Sequence, residues 1–153
     1  MKALRAIVGA GLVAGTLDIT AAIVIYCYLR HLVAPARLLR GIAAGLLGPS
    51  ARDGGTGMAL LGLACHFTIA FGAAAVFYML SRKIGFLLDR PIVAGALYGI
   101  AVYCFMNIVV LPLSALHRHP LDAFTPEALA WGIPVHMVCI GMAIALMTRL
   151  ATR

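Results

Sequence analysis

Charge is scarce in this sequence. Only 11% of its 153 residues are charged, and just five are acidic. A soluble domain typically carries about 25% charged residues. The deficit excludes an ordinary soluble enzyme and a disordered chain. Motifs of chemistry are missing too. The four cysteines form no CxxC pair, which removes zinc-ribbon and thioredoxin-like readings. There is no P-loop, dinucleotide fingerprint, nucleophile elbow or serine–histidine–acid order. Ser50, Ser81 and Ser114 stand near the ends of apolar runs without a motif. No enzyme is expected.

Apolar residues fill the gap. They make up 63% of the chain, and the mean hydropathy is +1.04. The formal charge is +7, but the Lys and Arg lie between apolar runs and form no single basic face. That is flanking charge for lipid headgroups, not a nucleic-acid footprint. Cys27, Cys65, Cys104 and Cys139 all fall within apolar runs and read as small hydrophobes, not staples. The partner is the lipid bilayer, and no nucleic-acid partner is expected.

Four runs reach the roughly 20 apolar residues a bilayer crossing needs. They cover about 6–29, 58–80, 91–113 and 128–148. The first exceeds the roughly 7–15 apolar residues of a secretory signal and is read as an anchor. Pro91 starts the third at a favoured first helical position. Thr125-Pro126-Glu127 supplies an N-cap hydroxyl, a first-turn proline and an acid for the fourth. The expected fold is all-α: one integral membrane domain over 1–153, a bundle of four transmembrane helices.

With the N-terminus inside, Lys2, Arg5, Arg82, Lys83, Arg90, Arg149 and Arg153 are inner. Arg30, Arg37, Arg40, Arg52 and Arg118 are outer. Seven against five puts both termini in the cytoplasm by the positive-inside rule. Residues 34–48, APARLLRGIAAGLLG, place Leu39, Ile42, Ala43 and Leu46 on one helical side and Arg37 and Arg40 on another. That predicts an interfacial amphipathic helix, with a re-entrant segment as the alternative because 41–49 carry no charge.

Small residues mark the faces on which the helices pack. Gly11 and Gly15 do so in the first run, and Gly62 with Ala59, Ala70 and Ala73 in the second. Gly95 and Gly99 serve the third, and Gly132 and Gly141 the fourth. Packing within one bundle is the simpler reading, and a homodimer interface the other. Four polar residues lie inside the runs: Asp18, His66, Asn107 and His136. At about 1.5 Å per residue, His66 and His136 sit roughly 12 Å from the outer surface. By the same rise Asp18 lies roughly 16–17 Å deep and Asn107 roughly 9 Å. One side chain per helix therefore falls within a few turns of the others, and Tyr103 stands one turn before Asn107.

Three readings compete for this cluster. It is structural, with the side chains satisfying one another to fix helix register. It is a small-ligand site or a proton-linked relay, as in a small-solute transporter. Or His66 and His136 are facing ligands of a haem or metal. No cofactor is the leading expectation. His117 and His119 form an H-x-H read as solvated loop, and Met106, Met137, Met142 and Met147 as core filler.

Four segments also carry a resemblance: GLVAGTLDIT (11–20), RGIAAGLLGPSARDGGTGMALLGLACHFTIA (40–70), GALYGIAVYCFMNIVVLPLS (95–114) and HMVCIGMAIAL (136–146). They resemble a group of small, uncharacterised four-helix bacterial inner-membrane proteins, distantly similar to the YagU type. Gly-x-Leu-Asp, Gly-Leu-Leu-Gly, His-Phe and Met-Asn with Pro-Leu-Ser are the shared elements. Met142 departs from the pattern, standing where it has proline. The resemblance covers most of the chain and implies four helices and inner-membrane residence. It implies no activity.

Overall fold

The computed structural model describes residues 2–152; Arg153, counted in the charge comparison, lies outside them. In chain order the helices are α1 (Lys2–Leu29), α2 (Pro35–Leu47), α3 (Thr56–Ser81), a single turn α4 (Phe86–Asp89), α5 (Pro91–Leu113) and α6 (Pro126–Thr152). Short 3-10 turns cover Pro49–Asp53 and Pro120–Ala123. No strand occurs among the described residues. α1, α3, α5 and α6 are each long and apolar enough to cross a membrane.

The helices outrun the apolar runs, most at Lys2 and Thr152. Lys, Arg and Ala are good helix formers and carry the backbone ladder past the apolar stretch. Starts follow the expected signals. Pro35, Pro91 and Pro126 occupy first-turn positions of α2, α5 and α6. Thr125 Oγ1 accepts the Ala128 N–H at 3.2 Å, capping α6.

The half of the bundle near the termini is the tight half. Ala10 and Ala14 of α1, Ala74 and Phe77 of α3, and Ile140 and Ile144 of α6 are buried together. Alanine dominates because it lets helix backbones approach closely, the packing that helices in lipid favour. The glycines act the same way. Gly11 faces Phe71 and Gly15 faces Phe67, while Gly95 and Gly99 meet the backbone of α6 at Met142 and Met137. Gly141 answers them from the other side, and Gly62 packs against the backbone of α2 at Leu39 and Ala43. All six glycines thus sit at helix crossings within one chain.

Two features depart from the periodicity. On α2 the buried residues are Ala43 and Ala44, whereas Leu46 is 63% exposed. The physical cause is Gly62, whose bare backbone admits a small-residue face at that distance: Ala43 of the expected side is buried there with Ala44, while Leu46 and Leu47 turn outward. Contact with α3 fixes α2 to the bundle, and the Ala115 N–H donates to the Gly45 carbonyl at 2.9 Å.

The second departure is π-helical backbone. It covers Val24–Leu29 in α1, Met106–Val110 in α5 and His136–Met142 in α6. Arg30 N–H to Ile25 O and Leu111 N–H to Met106 O are the wide i→i−5 bonds that define it. Pro112 and Pro134 supply a cause in α5 and α6. Neither has an N–H, so the α-helical ladder cannot continue through them. Nothing in the α1 sequence explains its own π segment. Such segments are rare and concentrate at functional sites.

Candidate functional site

The π segments of α1 and α5 lie in the half of the bundle remote from the termini, and that of α6 begins there at His136 and runs into the tight half. In the remote half close packing gives way to two cavities. The larger, about 1190 Å³, lies among α1, α2, α3, α5 and α6. Its ionisable lining inside the helices is Asp18, His66 and His136. Thr68 also lines it, with its hydroxyl donating to the Ala64 carbonyl at 2.9 Å, and the walls are mostly apolar. The smaller, about 520 Å³, is polar and holds Tyr26, Arg30, Asn107, Asp122, Glu127 and His136. Tyr103 also lines it, and His136 faces both spaces.

Three of the four polar residues inside the apolar spans are held by backbone. His66 Nε2 lies 2.8 Å from the Gly15 carbonyl, which can only accept, so Nε2 donates and Nδ1 keeps the lone pair. His136 Nδ1 donates to the Gly132 carbonyl at 3.0 Å, which leaves Nε2 with the lone pair. Asn107 Nδ2 donates to the Tyr103 carbonyl at 2.8 Å. Tyr103 is itself anchored. Its hydroxyl donates to the Ala123 carbonyl at 2.5 Å, and its ring meets His136 edge-on with centroids 5.2 Å apart. Gly132 admits this ring, for a Cβ there would lie 3.1 Å from the Tyr103 hydroxyl.

Mutual satisfaction is therefore not what holds the four residues. On a helix the carbonyl one turn back is the nearest acceptor for a short polar side chain, and His136 and Asn107 take it. Gly15 has no side chain to cover its carbonyl, and His66 reaches it from α3. Asp18 is left out. It accepts from no donor among the described residues, where the one ion pair joins Arg30 and Glu127. Among the described residues no Lys, Arg or His nitrogen thus comes within 4.0 Å of its carboxylate. It faces the larger cavity instead.

In the loop between α5 and α6, one histidine of the H-x-H is engaged by backbone. His119 Nδ1 accepts the Leu121 N–H at 3.3 Å and caps the 3-10 turn there. Among the described residues no three His, Cys, Asp or Glu side chains converge as a metal site. His136 offers Nε2 toward the cavities, but His66 commits Nε2 to Gly15. Bis-histidine ligation would need His66 to bind through Nδ1 or to release that carbonyl.

Sequence reasoning found Asp18, His66 and His136 by their cost in lipid, and these three line one cavity. It could not find the vestibule formed by Tyr26, Arg30 and Glu127, because those residues converge only through the loops. Comparison with family models, curated proteins and solved structures finds no match.

Proposed function

We propose that the protein is a non-enzymatic, multi-pass protein of the bacterial inner membrane that holds a small cationic or protonatable ligand at Asp18. The observation that carries this is a carboxylate inside an apolar span, facing a cavity, with no partner among the described residues. An ionised carboxylate there is costly, and a bound cation or proton offsets that cost. His66 and His136 add one lone-pair nitrogen each to the same cavity. The excess of Lys and Arg at the termini end supports cytoplasmic termini. The outward Leu46 and Leu47 of α2 support its place at the membrane interface.

A second reading, proton-linked solute transport, is favoured by one feature: His136 faces both the polar vestibule and the Asp18 cavity. At 153 residues, alternating access would call for a homodimer.

A hydrophobic carbodiimide, which reacts with protonated carboxyls in apolar surroundings, tests the ligand reading. Peptide mapping should find Asp18 modified, ahead of Asp53, Asp89, Asp122 and Glu127. A series of organic ammonium ions should slow that labelling several-fold with at least one member. An unlabelled Asp18, or labelling that no ammonium ion slows, contradicts the reading.

A further inference from the structure

We infer that the groove between α3 and α5 is a binding site for one anionic phospholipid. Its phosphate is held by Arg52 and Arg118, and an acyl chain lies against Ile69, Phe105 and Val109. The inference goes beyond the Asp18 reading and does not rest on it.

The groove exists because α3 and α5 scarcely touch. Tyr98 bridges them, its hydroxyl donating to the Ala73 carbonyl at 2.7 Å. Beyond that bridge toward α2, the larger cavity opens sideways. Its lining residues Ile69, Phe105 and Val109 are 40%, 56% and 36% exposed on the outside of the bundle. Aliphatic and aromatic walls facing the bilayer take up an acyl chain, since they offer water no hydrogen bonds. Apolar walls alone do not choose among lipids.

The rim does choose. Arg52 and Arg118 line the same cavity at its end near α2. The one ion pair among the described residues is Arg30–Glu127, so neither guanidinium is neutralised by a bridge. Ser114 at that rim already donates to the Leu111 carbonyl at 2.7 Å. The one acid lining this cavity, Asp18, lies deep in α1; Arg118 also borders the smaller cavity, whose acids Asp122 and Glu127 form no ion pair with it. Two unbridged guanidinium groups above an apolar slot favour a headgroup of net negative charge, whose phosphodiester no ammonium of its own neutralises. Basic pockets between membrane helices bind anionic headgroups by the same physics.

Native mass spectrometry of the full chain in mild detergent tests this. The probes are phosphatidylglycerol and phosphatidylethanolamine with identical chains. One phosphatidylglycerol should be retained per chain, with about tenfold preference over phosphatidylethanolamine. R52Q/R118Q, on an exposed rim, should bring the two lipids to parity. Val109→Trp should reduce retention of both by filling the slot. Asp18→Asn should leave the preference unchanged, which separates this site from the ligand reading. Equal retention of the two lipids, no retention of either, or a preference that survives R52Q/R118Q overturns the inference.

Discussion

Gly141→Val should destabilise the bundle by about 3 kcal/mol, the upper end of what overpacking costs. A Cβ at Gly141 would run into the Gly95 carbonyl oxygen and lie 2.8 Å from the Gly99 Cα. Every atom it meets there is backbone, so no side chain can swing aside. α5 and α6 must part instead. That loss extends to the site, because a Cβ on Gly99 would in turn meet the backbone of His136 and Met137. Gly72→Val is the matched control, since a Cβ there has nothing within 4 Å. Thermal unfolding in mild detergent should show a large fall for the first variant and little change for the second. Equal falls would mean that helix propensity, not the crossing, sets the cost.

The second large effect is expected at Phe77, a side chain with 0% exposure in the alanine-rich core. Its ring stacks edge-on against Tyr98 with centroids 5.0 Å apart. In a soluble core Phe→Ala costs about 3–5 kcal/mol, the sum of a transfer term and a cavity term. Lipid tails are as apolar as a protein core, so the transfer term largely vanishes in a membrane bundle. The cavity and lost dispersion remain, which puts Phe77→Ala at about 2–3 kcal/mol. Phe105 is 56% exposed, and Phe105→Ala should stay within about 0.5 kcal/mol. A full soluble-core cost at Phe77 would argue against lipid as the unfolded chain's surroundings.

The fold was legible where one physical constraint acts alone. Hydrophobic length fixed four helices, and Thr125-Pro126 marked the start of α6 because capping is local. α2 was legible as a helix but not in orientation. Its apolar side was Leu39, Ile42, Ala43 and Leu46; close approach at Gly62 buried Ala43 of that side together with Ala44 and left Leu46 outside. That choice depends on a residue of another helix. The π segments are equally invisible to hydropathy, since changing i→i−4 into i→i−5 bonds leaves apolar content untouched. Pro134 hinted at one of them; Pro112 hinted at another.

The polar residues divide in the same way. Their depth along each helix followed from counting residues at a fixed rise. Their partners did not, for His66 finds Gly15 across 51 positions, while His136 and Asn107 stay on their own helices. The structural reading would have Asp18 satisfied by its polar neighbours, and the helix packing leaves its carboxylate facing open space. The arrangement matters functionally. A self-satisfied cluster holds a bundle together, whereas a partnerless acid beside a cavity leaves room for something to bind.

That distinction is open to direct measurement by double-mutant cycles on stability in mild detergent. The cycles combine Asp18→Asn with His66→Ala and, separately, with His136→Ala. With each histidine bonded to a backbone carbonyl and Asp18 bonded to neither, both coupling energies should fall within about 0.5 kcal/mol of zero. A coupling above about 1 kcal/mol in either cycle would show Asp18 already paired inside the chain, contradicting a carboxylate that waits for a ligand.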